Sequence, residues 1–344
     1  MTATTTTSKI SFRQAINQAL AQEMERDERV FLIGEDIVGG AGVEGFESDD
    51  AWGGVMGVTK GLVGKFGRER VIDTPLSETA FIGASVGAAM SGLRPVTELM
   101  FSEFLGVCLD QIMNQGAKSR YMFGGAVSVP MTLRTTIGAG NGMAGQHSDC
   151  NYSIFTHLAG VKTVVPSTPA DAKGLLAASI RDDDLVVFHE HKAMYDMRDD
   201  VPEGEHVVPL GVADVKREGD DVTIVTVGRM VHTALEAADA LGAQGISTEV
   251  VDLRTLSPLD EDTVLGSIAK TGRLVMLDED KPRCAMSGDI VSLAARKAFG
   301  DLKAAPVAVT APHTPVPYAP SLENAYIPDR GRVEQAVLEV LGKA

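Results

Sequence analysis

Several segments combine residue types that can do chemistry. In Asp73-Thr74-Pro75-Leu76-Ser77-Glu78-Thr79 an apolar run ends, Pro75 stiffens a turn, and Glu78 opens a helix. A carboxylate there is favoured by the helix dipole, and the carboxyl end of a strand is also where an acid-base group would work. In Gly138-Ala139-Gly140-Asn141-Gly142-Met143-Ala144-Gly145-Gln146-His147-Ser148 four glycines precede a histidine. Glycines let the backbone approach a ligand closely, and an imidazole can move protons near neutral pH. Pairing of His147 with Ser148 or Cys150 as a nucleophile is disfavoured, because near neighbours in one segment seldom align for it. Ser179-Ile180-Arg181-Asp182-Asp183-Asp184-Leu185 reads as a solvated acidic turn, with a cation site built on turn carbonyls as the minor alternative. His189-Glu190-His191 offers metal-ligand types, but alternation sends the two histidines to one face and Glu190 to the other, so a solvated or ion-paired strand end is expected.

The elements that must position these groups follow from periodicity. Ser11 and Gln14 have capping-box spacing, and Ile16, Leu20 and Met24 then share one face, so a helix should run to about Arg26. Residues 30–33 read as a strand buried on both faces. Further strands are expected at 70–73, 95–99, 129–135, 162–165 and 185–189, alternating with helices such as 78–91 and 103–121. The small residues Ala80, Gly83, Ala84, Ser85, Gly87, Ala88 and Ala89 imply that another backbone approaches the 78–91 helix closely, within the chain or across a subunit contact. Thr168-Pro169-Ala170-Asp171 spells a helix start. A polar stretch at 196–209 marks a linker, after which strands at 222–227, 248–251, 274–277 and 307–310 alternate with helices at 231–241, 260–270, 288–299 and 333–341. The expected fold is α/β: two open, mostly parallel sheets flanked by helices, with domains at 1–200 and 214–344 joined through 201–213.

Length and composition agree. A chain of 344 residues suits two domains at roughly 150 residues each. No run of 18 apolar residues occurs and the start is a threonine run, so neither a membrane span nor a signal peptide is expected and the location reads as cytoplasmic. Cys108, Cys150 and Cys284 are too widely spaced for a disulfide framework or a zinc knuckle. A formal charge of −16 argues against nucleic acid or anionic membrane as a partner. No G-x-G-x-x-G opens a helix with an acidic residue about 20 positions on, and P-loop and zinc-protease motifs are missing.

Taken together, Gly34-Glu35-Asp36, the 73–78 turn, Gly92-Leu93-Arg94-Pro95, Asp110-Gln111, the 145–148 loop, the runs at 171–175, 180–182 and 252–260, and Pro315-Val316-Pro317-Tyr318 resemble one family. It is the beta subunit of the thiamine-diphosphate-dependent first component of the 2-oxo acid dehydrogenase complexes, within the transketolase-like superfamily. The likeness spans nearly the whole chain. The insertion at 39–64, with Glu44-Gly45-Phe46 and Asp49-Asp50-Ala51-Trp52-Gly53-Gly54-Val55, and Tyr121-Met122-Phe123-Gly124-Gly125 bring it nearest to the acetoin dehydrogenase branch. The pyruvate and branched-chain 2-oxo acid branches share the catalytic segments.

This resemblance implies a pyrimidine-binding domain followed by a transketolase C-terminal-type domain, an alpha subunit completing an α2β2 heterotetramer, and transfer of an acyl unit from a small substrate to lipoyl groups of a partner acyltransferase. It implies thiamine diphosphate shared between the subunits, with Mg2+ held by the alpha subunit. Glu78 would hydrogen-bond the aminopyrimidine, favouring its protonated ring nitrogen and the imino tautomer that removes the thiazolium C2 proton. Leu76 and Phe104 would pack on that ring, and Val107 stands where pyruvate enzymes carry a glutamine. His147 would work on the substrate side and in reductive acetylation of the lipoyl group. Met131, Ser179, Ile180, Asp182 and Asp184 match a potassium site formed largely by carbonyl oxygens.

The superfamily's diphosphate motif, G-D-G followed by N-N, is absent: Gly288-Asp289 continues as Ile290. The chain thus carries the pyrimidine half alone. A non-catalytic assembly subunit is the competing reading, but it would have no need to keep both Glu78 and His147. The purified chain by itself should neither turn over nor bind thiamine diphosphate tightly. Calorimetry checks this, and micromolar or tighter Mg2+-dependent binding would overturn it.

Overall fold

The computed structural model describes residues 6–39 and 52–343. The motifs Glu44-Gly45-Phe46 and Asp49-Asp50-Ala51 therefore lie outside the described residues. In the first part of the chain the strands are β1 (Thr7–Ser11), β2 (Val30–Glu35), β3 (Val71–Thr74), β4 (Arg94–Phe101), β5 (Thr132–Ile137), β6 (Lys162–Val164), β7 (Val186–His191) and β8 (Arg198–Pro202). There follow β9 (Asp214–Arg217), β10 (Val222–Thr226), β11 (Thr248–Asp252), β12 (Thr255–Ser257), β13 (Leu274–Leu277) and β14 (Val307–Val309). One sheet has the order β12-β6-β7-β5-β4-β2-β3 and the other β14-β13-β10-β11-β9. Both are parallel except for the edge strands β12 and β9.

Local signals act where they stand. Gln14 N donates to Ser11 Oγ (3.2 Å) and Ser11 N to Gln14 Oε1 (2.9 Å), so both halves of the capping box form ahead of the Phe12–Arg26 helix. Thr168 Oγ1 accepts from Asp171 N (3.0 Å) and starts the Pro169–Arg181 helix. The Glu78–Met90 helix buries Phe81, Ile82, Val86 and Ala89, while Ala80, Ala84 and Gly87 form an exposed stripe. Ala80, Ala84 and Gly87 therefore face away from this chain's own core, whereas Ser85 and Ala89 face into it. Among the described residues no helix is long and apolar enough to cross a membrane.

Some expectations need correction. The helix expected over 103–121 is broken into a 3-10 turn (Ser102–Phe104), Leu105–Asp110, a π turn (Gln111–Gly116) and Ser119–Met122. Cys108 leaves helical dihedrals at φ −131°, and a Cβ on Gly116 would sit 2.9 Å from Leu185 Cδ2. β2 is buried on one face rather than two, since Val30 and Leu32 join the core under the Phe12–Arg26 helix while Phe31, Ile33 and Glu35 are half-buried. Pro130 supplies no N–H, and β5 begins only at Thr132. The polar stretch after 196 is partly ordered as β8, which pairs antiparallel with β1. Downstream, Val208 N donates to Gly174 O (3.1 Å) and Gly211 N to Thr255 Oγ1 (3.2 Å), so this segment is bonded to both halves.

A buried ion cluster closes the seam between the two halves. Asp171 accepts from Lys216 Nζ (2.8 Å) and Arg254 Nη2 (2.7 Å). Burial alone would raise the Asp171 pKa, but the two cations outweigh it and hold the carboxyl below its ordinary range. Asp214 also accepts from Lys216 and Arg254 (2.7 Å each), so Asp171→Ala leaves each cation one partner fewer and should cost about 1.5–3 kcal/mol in urea unfolding. A loss near zero would mean that the cluster closes up without it.

Candidate functional site

The carboxyl ends of β2, β3, β4, β5 and β7 lie together at one edge of the larger sheet, where parallel α/β sheets place their ligands. Glu78 follows β3 as the first residue of its helix. Ser77 turns its hydroxyl back to Pro75 O (3.0 Å) and does not cap, so Glu78 stands alone at the helix start. Its carboxylate is half-buried and makes no side-chain hydrogen bond or ion pair among the described residues. Burial pushes the Cys108 thiol up to about 12, and the negative charge of Glu78 adds to that effect. Glu35 at the end of β2 is likewise raised by burial first and then by Asp36 and Glu78. Apolar side chains on the adjoining turns are left open: Leu76 is 75% and Val107 58% exposed, with Phe104 half-buried. Thr79 Oγ1 donates to Val107 O and ties these turns together.

His147 reaches the same edge from the loop after β5. Its ring meets Phe101 edge-on at 4.4 Å and Phe104 at 5.7 Å, while the two phenyl rings pack at 5.5 Å. Its ring nitrogens have no hydrogen-bond partner among the described residues. Thus Leu76, Glu78, Phe104 and His147 are brought to one edge of the sheet, with the Phe104 ring against the imidazole.

The loop itself is held from across the seam. Ala139 N donates to Glu279 Oε1 (2.8 Å), Gly140 N to Glu323 Oε1 (2.7 Å) and Gly142 N to Glu323 Oε2 (3.0 Å). Arg229 Nη1 donates to Ala139 O (3.1 Å), and Asp149 N to Glu103 Oε1 (2.7 Å). His191 Nδ1 accepts from Ala193 N (3.2 Å), so Nε2 carries the proton and donates to Glu279 Oε2 (2.9 Å). Burial would raise the Glu279 pKa, but His191, Arg229 and the Ala139 N–H hold it down to about 2. Cys150 joins His191 and Glu279 with ligand atoms within 4.8 Å, yet both histidine nitrogens are engaged, so the group anchors the loop rather than a metal. Sequence reasoning missed Glu279, Glu323 and Phe101. The acidic run 278–280 directly after an apolar strand was the one available hint.

His189, Glu190 and His191 alternate as expected, but all three are buried rather than solvated. Glu190 forms a bidentate pair with Arg134 (2.6 and 2.9 Å), while His189 Nδ1 lies 3.3 Å from Val164 O.

Met131, Ser179, Ile180, Asp182 and Asp184 lie at the amino ends of β5 and β7, the far edge of the sheet from His147. The acidic turn is ion-paired: Lys162 holds Asp182 (2.7 Å), Arg94 holds Asp183 (2.5 Å) and Arg120 holds Asp184 (2.5 Å). Arg94 also donates to the carbonyls of Ile180 (3.1 Å) and Asp182 (2.9 Å). Arg94 thus engages two of the carbonyls that the expected potassium site would use.

Two open α/β units with a carboxylate and an imidazole at the carboxyl edge of the first define a transketolase-type architecture. The chain matches the transketolase pyrimidine-binding domain over residues 8–197 and the transketolase C-terminal domain over 211–333. It is 55% identical to the acetoin:2,6-dichlorophenolindophenol oxidoreductase beta subunits of Bacillus subtilis and Cupriavidus necator, over 97% of this chain and 98% of each relative. The 2-oxoisovalerate dehydrogenase beta subunit of Bacillus subtilis is 42% identical over 97% of this chain and 99% of its own. A solved split-gene transketolase, described as an inactive beta4 tetramer, shares the fold with a TM-score of 0.77 at 20% identity, covering 97% of this chain and 98% of that one. The chain belongs to the family of transketolase-type dehydrogenase beta subunits.

The loop's glycines carry a direct test. Gly138 has φ +94°, and a Cβ there would lie 2.0 Å from His191 Nε2. Gly138→Ala should lower stability by about 2–4 kcal/mol in urea unfolding. A value under ~0.5 kcal/mol would show that the loop can be reshaped freely.

Proposed function

We propose that this chain is the beta subunit of a thiamine-diphosphate-dependent acetoin dehydrogenase, which cleaves acetoin and passes the acyl unit to lipoyl groups of a partner acyltransferase. It works only with an alpha subunit, as an α2β2 heterotetramer in the cytoplasm. The observation that carries this reading is the half site: a carboxylate at Glu78 with no partner among the described residues, beside open apolar side chains, and His147 against Phe104 at the same sheet edge. An apolar surface with one acceptor fits the edge and face of an aminopyrimidine ring. Identity of 55% to the acetoin oxidoreductase beta subunits, against 42% to the 2-oxoisovalerate enzyme, supports acetoin as the substrate. Oxidative decarboxylation of pyruvate or a branched-chain 2-oxo acid is the second reading, and it would use the same two residues.

When bound, thiamine diphosphate supplies the carbon nucleophile and the electron sink for breaking the substrate's carbon–carbon bond. Glu78 would accept a hydrogen bond from a protonated ring nitrogen of the pyrimidine and keep the proton there. Leu76 and Phe104 would pack on the ring and exclude water. His147, fixed by two phenyl rings with both nitrogens unengaged, moves a proton at a substrate oxygen or a lipoyl sulfur. Mg2+ and the diphosphate belong to the alpha subunit, since this chain lacks the G-D-G motif. No step is derived through potassium.

In the reconstituted pair, Glu78→Gln should reduce turnover ~10²-fold and slow proton exchange at cofactor C2 in proportion. His147→Ala should reduce turnover comparably yet leave that exchange near wild type. Unchanged turnover would remove His147 from the catalytic residues, and a higher kcat/KM on pyruvate than on acetoin would sink the acetoin assignment.

A further inference from the structure

We infer that Glu323 is a positioning residue for His147: its carboxylate, supplied by the second half of the chain, clamps the glycine loop that presents the imidazole. This rests on the role proposed for His147.

The loop cannot satisfy its own backbone. Gly138, Gly140 and Gly142 have φ of +94°, +107° and +65°, so the segment follows neither helix nor ladder, and its N–H groups need acceptors. Glu323 sits in the Pro320–Tyr326 helix, is 2% exposed, and gives one oxygen to Gly140 N and the other to Gly142 N, more than 180 residues away in sequence. Hydrogen bonds to a buried carboxylate are short and strong. Five residues beyond Gly142 comes His147, whose own N–H donates to Ala144 O (3.3 Å). Between them Gly145 passes close to Pro315, where an added Cβ would meet Pro315 Cβ at 3.3 Å. The second half therefore touches the loop at 139, 140, 142 and 145, and the first half receives the imidazole against Phe101 and Phe104.

Glu279 makes a similar bond to Ala139 but is also paired with His191, so its removal would disturb more than the loop. Among the described residues Glu323 has no other side-chain partner and isolates the effect. The buried ammonium of Lys192 adds a reason for the charge. Its Nζ has no hydrogen-bond partner among the described residues and stands 5.8 Å over the Phe101 ring that supports His147; burial lowers its pKa, and Glu103, Glu279 and Glu323 pull the other way.

The test uses the enzyme reconstituted with its alpha subunit. Glu323→Gln keeps the size but offers an amide nitrogen to one of two N–H donors. Turnover on acetoin should fall at least ~10-fold while C2 proton exchange of the bound cofactor is unchanged, because misplacement by about 1 Å can cost that much or more. Amide hydrogen exchange should accelerate at 139–147 and stay as in wild type elsewhere. In a His147→Ala background the same substitution should add no further loss of turnover. An equal loss in both backgrounds, or wild-type turnover with wild-type loop protection in Glu323→Gln, would overturn the inference. Should Glu323→Gln fail to fold, Glu323→Asp, which keeps the charge but is one methylene shorter, must show the same non-additivity. A fully active His147→Ala overturns the underlying role of His147, and that failure is distinct from a failed clamp, whose mark is unchanged loop protection in Glu323→Gln.

Discussion

A backbone that leaves the carboxyl end of a sheet in a chain of glycines has N–H groups with nowhere local to point. In this protein the acceptors are the carboxylates of Glu279 and Glu323, and much of the two-part arrangement can be understood from that need. Both carboxylates lie in the second half, beyond the end of β13 and in the Pro320–Tyr326 helix. They can hold the loop only if the halves keep a fixed relation. The buried Asp171 with Lys216 and Arg254 provides that relation at another point of the same seam. Structure in one half thereby becomes geometry in the other.

Charge is handled in the same way throughout. The chain carries a formal −16, and many of its buried acids are met by a cation, while Asp278 and Glu323 are held by a hydroxyl or by main-chain donors. Arg134 on β5 lies between Glu98 on β4 and Glu190 on β7, at 2.8 and 2.6 Å. Arg94, Lys162 and Arg120 absorb the acidic turn at 182–184. Against that background Glu78, like Glu35 beside it, is a half-buried acid without a counter-charge among the described residues, and Leu76 and Val107 on the adjoining turns are exposed. Desolvating a carboxylate costs free energy unless something hydrogen-bonds it, and the proposed pyrimidine ring would be that something.

What the sequence revealed and what it hid divide along the range of the interactions. Ser11 with Gln14 and Thr168 with Asp171 are legible because cap and helix are three residues apart. Glu78 and His147 are legible because helix start and glycine loop are written in consecutive residues. The break at Cys108 was invisible, since it answers to packing such as that of Gly116 against Leu185 rather than to local propensity. The ladder between β1 and β8 joins polar segments with no periodic signal. Glu279 and Glu323 could not be singled out, because their partners are main-chain groups and a backbone N–H leaves no trace in residue type.

The placement of β12 bears on how the chain could be divided. This strand belongs by sequence to the second half, yet it pairs with β6 and closes the edge of the first sheet. A fragment cut in the segment after β8 would leave β6 with a row of open donors and acceptors, the kind of edge that recruits foreign strands. The second half thus completes the first during synthesis: until residues 255–257 have been delivered, the β6 edge of the first sheet stays bare.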